Sequence, residues 1–185
     1  KRLTAFVHHF GYARKEVLDR KDTRTSRNLP LLLEMYEKDP DSPQCCMQIA
    51  QEYRSVFEFE PAVEYCRKGL ALARKEERIY NYELWMQANL PLLISYTGNL
   101  ELALKEGESI QKHPRTLEAG ELHLSVTMVS LCRKLKEYRK GLKYVRLYHE
   151  KLSYLLKHPE KARTQSAAGL TFEQARQEAV PVYMD

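Results

Sequence analysis

Apolar residues recur at intervals of three and four between positions 43 and 76, which is the period of an amphipathic helix. Small residues occupy the places where two such helices would cross: Ala50 in the first half of this stretch, and Ala62 and Gly69 in the second half. Larger apolar residues fall beside them. The pattern predicts two packed helices, near 43–56 and 60–75, joined by a turn at 57–60.

Two weaker copies of this helix pair follow along the chain. Ala62, Ala103 and Gly141 are equivalent small residues near the start of each second helix, and they lie 41 and 38 residues apart. Pro91 falls inside the first helix of the second pair, where it bends the helix or removes a hydrogen bond. A single pair cannot bury its apolar face alone, so the pairs are expected to stack. The predicted helices of the two copies span about 77–97, 100–112, 116–135 and 138–157.

The flanks of this helical region differ from it in pattern. The start, LTAFVHHF, is strand-like, and a polar, basic stretch follows it to residue 27. Asn28 is a candidate cap for one further helix, which ends before the Asp-Pro-Asp-Ser-Pro sequence. We therefore divide the chain into a strand-like remnant and basic linker from a preceding domain (1–27), a helical repeat domain (28–157), and a loop with a short last helix (158–185). The chain is expected to be part of a longer protein.

Composition and charge fit a globular helical domain. Hydrophobic residues make up 43% of the chain and charged residues 30%, which is outside the range of disordered chains. The net charge of +5 is modest, because 25 acidic residues are interspersed among 30 basic ones, so nucleic-acid binding is not expected. The most basic stretch, RKLKEYRKGLK, is interpreted as the solvated face of a helix. No run of apolar residues approaches the length of a membrane span.

No complete catalytic constellation can be assembled from the sequence. The four cysteines fall among apolar residues of predicted helices, and no two of them form a C-x-x-C motif. This placement predicts reduced thiols in a cytoplasmic protein. No two histidines in the predicted helices share the spacing of a helical metal site. Asp39-Pro40-Asp41 is interpreted as a turn between helices.

The first helix pair resembles a tetratricopeptide repeat. The residues that match the signature of that family are Ile49, Ala50, Tyr53, Ala62 and Gly69, with Cys66 where an aromatic residue is common. The second pair keeps Gly98, Ala103 and Pro114, and the third keeps mainly the spacing. The resemblance implies an all-α fold: a right-handed solenoid of antiparallel helix pairs, with about three degenerate repeats and flanking helices.

The region before the repeats resembles the tail of bacterial family-2 glycosyltransferases, in which an H-x-G-Y strand and an Arg-Asn segment precede such repeats. The matching residues are His9, Gly11, Tyr12, Arg27 and Asn28. The resemblance implies that His9 completes a Mn²⁺ or Mg²⁺ site for a nucleotide-sugar donor in a transferase domain that this chain lacks. It implies no cofactor and no catalysis in this chain alone. The alternative is a stand-alone repeat scaffold or regulatory protein without sugar chemistry.

The first helices of tetratricopeptide pairs line a concave groove, and the resemblance assigns residues of this chain to it. An aromatic centre flanked by cations would suit an extended or acidic peptide of a protein acceptor, and homodimerisation is the other expected role. In the alternative interpretation, Trp85 and Leu92 are simply covered by a neighbouring helix. The predicted groove residues are Gln44, Gln51, Arg54, Trp85, Leu92, Tyr96, His123, Arg133 and Lys134.

Overall fold

The computed structural model describes residues 28–161, and every regular element within that range is an α-helix. The all-α class is therefore confirmed for this part of the chain. The predicted remnant at 1–27 and most of the predicted last segment at 158–185 lie outside the described residues. The helices are α1 (Leu29–Lys38), α2 (Pro43–Ser55), α3 (Phe59–Ala73), α4 (Asn81–Tyr96), α5 (Leu100–Gln111), α6 (Glu118–Lys134) and α7 (Tyr138–Lys157).

Two helix starts are fixed by side-chain caps. The Ser42 hydroxyl accepts a hydrogen bond from the backbone N–H three residues later at 3.3 Å, and Pro43 then occupies the first position of α2. Asn99 caps α5 in the same way at 3.0 Å. Asn28 precedes α1, but its side chain does not cap that helix. Its amide instead donates to Glu52 of α2 at 3.1 Å, which ties the two helices together.

Each of the three turns inside the helix pairs contains one residue with a left-handed backbone. Within the described range, left-handed φ angles occur at Phe57 (65°), Gly98 (90°) and Lys136 (59°). The amide of each of these residues donates to the carbonyl three residues earlier, at 3.2, 3.2 and 3.1 Å. The three positions lie 41 and 38 residues apart, which is the spacing predicted from the small residues of the second helices. A left-handed turn residue therefore recurs along the described backbone at the spacing of the small residues in the sequence.

The helices contact one another in a regular order. The first helices of the pairs, α2, α4 and α6, pack against each other in sequence, and each second helix packs on its own first helix. In addition, α3 packs on α4 and α5 packs on α6, while α1 packs on α2. Because α4 has neighbours on all sides, its residues from Glu83 to Pro91 are all buried.

Small residues let these helices approach closely. Ala50 and Ala62 are fully buried in the main core. A Cβ atom placed on Gly69 would lie 2.8 Å from the Cβ of Cys46 and 2.7 Å from the sulfur of Met86, so α3 meets α2 and α4 at this glycine. The predicted role of Gly69 as a helix-crossing residue is consistent with this geometry.

We expect Ala62→Leu to lower the free energy of unfolding by about 1–3 kcal/mol, because the additional side-chain atoms have no space in a filled core. The measurement is urea denaturation followed by circular dichroism. Ala71→Leu is the matched control, since Ala71 lies on the same helix and is exposed; it should change the free energy by less than about 0.5 kcal/mol. Equal effects of the two substitutions would contradict the packing of α3 described above.

One buried ion pair joins two loops to the central helix. Glu83 is fully buried in the first turn of α4, and its two carboxylate oxygens accept hydrogen bonds from Arg115 at 2.6 and 3.0 Å. Arg115 lies in the loop between α5 and α6, and its side chain is 19% exposed. Gln87 also donates to Glu83, at 3.1 Å. The pair therefore holds the α5–α6 loop against the start of α4.

The same guanidinium also satisfies backbone carbonyls of the loop between α3 and α4. It donates to the carbonyls of Ala73, Glu76 and Arg78 at 3.2, 2.8 and 2.9 Å. Ala73 is the last residue of α3 and the other two follow it, in a segment where backbone carbonyls lack the i+4 partners of a continuing helix. The predicted start of the long fourth helix near residue 77 is wrong for this reason, since residues 74–80 form a loop around Arg115 and α4 begins at Asn81.

Candidate interaction surface

An exposed aromatic cluster lies at the end of the helix array that carries the turns. Phe57 is 77% exposed, and its ring lies 6.2 Å from that of Phe59 in an edge-to-face arrangement. The ring of Phe59 lies 4.8 Å from that of Tyr96, the last residue of α4, which is 48% exposed. The cluster therefore connects the turn of the first pair to the end of the central helix.

Basic residues lie at the ends of the neighbouring first helices. Arg54 is exposed near the end of α2 and donates to the Asn89 amide oxygen of α4 at 2.9 Å. Arg133 and Lys134 are exposed in the last turn of α6, where a cation also stabilises the helix through its dipole. The end of α4 lies beside the turn after α2, where Tyr96 contacts Phe59, and Pro91 of α4 and Met128 of α6 both border Gly107, so α2, α4 and α6 end on the same side. We call this surface the turn edge; it comprises Arg54, Phe57, Phe59, Tyr96, Arg133 and Lys134.

The structure separates the predicted groove residues into exposed and covered positions. Leu92 is half-buried on α4, and His123 is half-buried on α6. Arg54 contacts Asn89 of α4, and Tyr96 contacts Phe59 of α3. The exposed members of the predicted set are Gln44, Gln51, Arg54, Tyr96, Arg133 and Lys134.

Trp85 does not form an exposed aromatic centre, which corrects that part of the prediction. Trp85 is only 6% exposed to solvent, and it belongs to the main core. The physical reason is that α4 is packed by α2, α3, α5 and α6, so no side of its middle turns faces solvent. The side chain of Asn89 donates back to the Trp85 carbonyl at 2.8 Å and thus satisfies a polar group in this crowded region.

Phe57 is the residue that the sequence-based prediction missed. The sequence pattern places it in the turn at 57–60 and gives it no role in binding. The available signal was a bulky aromatic residue at the turn position that Gly98 occupies in the second repeat and Lys136 in the third. Aligning the three turns by their spacing would have identified it as an unusual choice.

His123 is not a cationic site at neutral pH. Burial lowers the pKa of its imidazole from 6.5 to about 4, because the charged form is poorly solvated among the surrounding side chains. The neutral ring contributes no positive charge to a binding surface.

The pKa of His123 predicts a pH-dependent loss of stability. Since the folded pKa lies below the unfolded value of 6.5, the unfolded chain takes up the proton more readily as the pH falls from 6.5 towards 4. We expect this one group to lower the free energy of unfolding by about 1–3 kcal/mol between pH 7 and pH 4.5. Urea denaturation of the wild type and of His123→Gln measures the difference; parallel pH profiles would contradict the prediction.

The thiols are inert components of the core. All four cysteines are buried and free. Burial raises the pKa of Cys46 to about 11 and raises the pKa values of Cys45, Cys66 and Cys132 as well. Thiolates, which are the nucleophilic form, are therefore scarce at neutral pH.

Residues 28–161 show no counterpart of the metal site that the resemblance implies for the preceding domain. No group of three histidine, cysteine, aspartate or glutamate side chains in this range is placed to hold a metal ion. Asp39 and Asp41 are exposed in the loop between α1 and α2. His9, Gly11, Tyr12 and Arg27 lie outside the described residues. None of the helices in the described range combines the length and apolar character needed to cross a bilayer.

The chain matches no protein-family model, no curated protein and no solved structure at a significant level. The repeat spacing, the turn edge and the charge distribution are therefore the observations from which its function is inferred.

Proposed function

We propose that residues 28–161 form a short right-handed solenoid of three helix pairs that acts as a non-catalytic protein-interaction module. Its binding surface would be the turn edge, where Phe57, Phe59 and Tyr96 receive an apolar side chain of a protein partner. The observation that carries this proposal is Phe57, a phenylalanine that is largely exposed and has a left-handed backbone.

Stability does not account for Phe57. A left-handed backbone costs a residue with a Cβ atom roughly 1–2 kcal/mol, which glycine avoids at the equivalent position 98. An exposed ring also recovers little hydrophobic free energy on folding, because most of its surface stays in water. Partner binding would recover that free energy, and clustered aromatic residues are frequent anchors of protein interfaces.

The surroundings of the cluster support a protein ligand. The contact of Phe59 with Tyr96 holds two rings in fixed positions before a partner arrives, which reduces the entropy lost on binding. Arg54, Arg133 and Lys134 would act at the rim, where charges mainly set the association rate and its salt dependence. A partner segment with one apolar anchor and acidic flanks fits this arrangement.

The resemblance of residues 9–28 to glycosyltransferase tails supports a more specific role. The module would follow a nucleotide-sugar-dependent transferase domain and recruit its protein acceptor, or mediate dimerisation of the enzyme. In that case the divalent metal and the sugar donor belong to the preceding domain. A stand-alone scaffold is the second candidate, and upstream sequence with or without an Asp-x-Asp motif distinguishes the two.

We expect Phe57→Gly to raise the free energy of unfolding by about 1 kcal/mol while weakening partner binding. The gain comes from relief of the left-handed backbone, and the loss comes from removal of the anchor ring. Lys136→Gly is the control for the backbone effect and should give a similar gain. Gly98→Ala should destabilise, because a residue with a Cβ atom is strained at a φ angle of 90°. An added Cβ meets no atom within 4 Å, so this variant isolates the backbone effect. A loss of stability in Phe57→Gly would mean that its ring has a structural role.

Site-specific photo-crosslinking tests the interaction directly. A benzoylphenylalanine placed at position 57 or 96 should form crosslinks to the same protein in the cells that produce this chain, whether to another protein or to a second copy. Position 80 is the control, since Tyr80 is an exposed aromatic residue in the loop between α3 and α4 and is outside the turn edge. The same products from all three positions, or none from 57 and 96, would refute the proposal.

A further inference from the structure

The outer face of α7 carries a row of basic residues without acidic partners. Arg139, Lys143 and Arg146 are spaced by four and three residues, so they lie on one side of the helix, and all three are exposed. None of them takes part in an ion pair within residues 28–161. By contrast, Lys140 on the same helix pairs with Glu108 at 3.2 Å.

This row borders a shallow groove rather than a flat surface. The groove lies between α7 and the end of α5 and has a volume of about 470 Å³. Its floor and walls include two leucines, of which Leu142 is 58% exposed and Leu147 is half-buried. The lining residues are Gln111, Arg139, Leu142, Lys143, Arg146, Leu147 and Glu150. We call this the α7 groove.

We propose that the α7 groove binds an acidic segment of a partner protein. Carboxylates of the segment would pair with Arg139, Lys143 and Arg146, and one apolar side chain would cover Leu142. Arginine presents a planar donor fork that suits carboxylates. Glu150 lies at one end of the groove and would repel further acidic residues, so the segment spans about two turns of α7.

Other anionic ligands match the groove less well. A single-stranded nucleic acid gains much of its affinity from stacking on aromatic rings, and no aromatic residue lines the groove. An anionic membrane surface requires a broad apolar face that enters the lipid, whereas Leu142 is the only largely exposed apolar residue of the groove. An acidic protein segment uses both the cations and the leucines.

The test measures binding of a fluorescein-labelled peptide of about twelve residues, built from glutamate and leucine at helical spacing, to the full chain. Fluorescence anisotropy is recorded at low and at physiological ionic strength. We expect the triple variant Arg139→Gln, Lys143→Gln, Arg146→Gln to bind at least about tenfold more weakly and with a smaller salt dependence. The charge-matched control Lys75→Gln, Arg78→Gln, Lys105→Gln alters exposed cations elsewhere and should stay within about twofold of the wild type.

Further arms identify the class of ligand. Leu142→Ser should weaken the glutamate–leucine peptide several-fold but leave a glutamate–serine peptide unchanged. Oligouridine and vesicles containing phosphatidylserine serve as competing probes, and tighter binding of either one than of the peptide would overturn the proposal. No peptide binding at low salt, or equal losses in the two triple variants, would also overturn it.

Unchanged melting midpoints confirm that the variants are folded. The turn edge is untouched in all of them, so peptide bound there would remain in every variant, and only the difference between the variants reports on the α7 groove.

Discussion

Arg115→Ala is expected to lower the free energy of unfolding by about 3–5 kcal/mol, because it leaves the Glu83 carboxylate buried without its partner. The substitution also removes the donor to three carbonyls of the loop after α3. A typical domain is stable by about 5–15 kcal/mol, so this variant should be close to unfolded at ambient temperature. Urea denaturation followed by circular dichroism measures the change.

An exposed ion pair is the control for this experiment. Arg67 contacts Glu106 at 2.8 Å, but both side chains are partly solvated, so Arg67→Ala should cost no more than about 1 kcal/mol. The double variant Glu83→Met, Arg115→Met should recover part of the loss, because it leaves no charge buried. A loss as large in the double variant as in Arg115→Ala would assign the effect to the loop carbonyls rather than to the ion pair.

The helix pairs could be predicted from the sequence because their determinants are local. The small residues, the turns and the 3–4 periodicity all lie within one repeat, and their spacing of 41 and 38 residues recurs in the left-handed turns at Phe57, Gly98 and Lys136. A turn of three residues leaves the chain few ways to place the second helix.

The ion pair between Glu83 and Arg115 could not be predicted in this way. The two residues are 32 positions apart, and one of them lies in a loop. Glu83 by itself looks like an ordinary acidic residue in the first turn of a helix, which is favourable even when exposed. Its burial depends on how α5 and α6 are connected, and no local pattern contains that information.

The turn edge could be predicted only in part. The sequence predicts Arg54, Tyr96, Arg133 and Lys134 because they lie on first helices, and the structure leaves them exposed. Trp85 was misplaced because α4 has apolar residues on every side, so periodicity does not indicate which of them faces a groove. A helix that is apolar all round is typical of a central position, and this criterion favours burial of Trp85.

Trp85→Ala is expected to lower the free energy of unfolding by about 3–5 kcal/mol, since it removes a large buried ring and leaves a cavity among four helices. Tyr96→Ala is the matched control on the same helix; because that ring is half exposed, its removal should cost less than about 1 kcal/mol. Trp85 is the single tryptophan of the chain, so wild-type fluorescence should shift to longer wavelength on unfolding. If Trp85→Ala were as stable as Tyr96→Ala, the Trp85 ring would have to lie at the surface. The predicted groove, rather than the turn edge, would then be the expected site of partner binding.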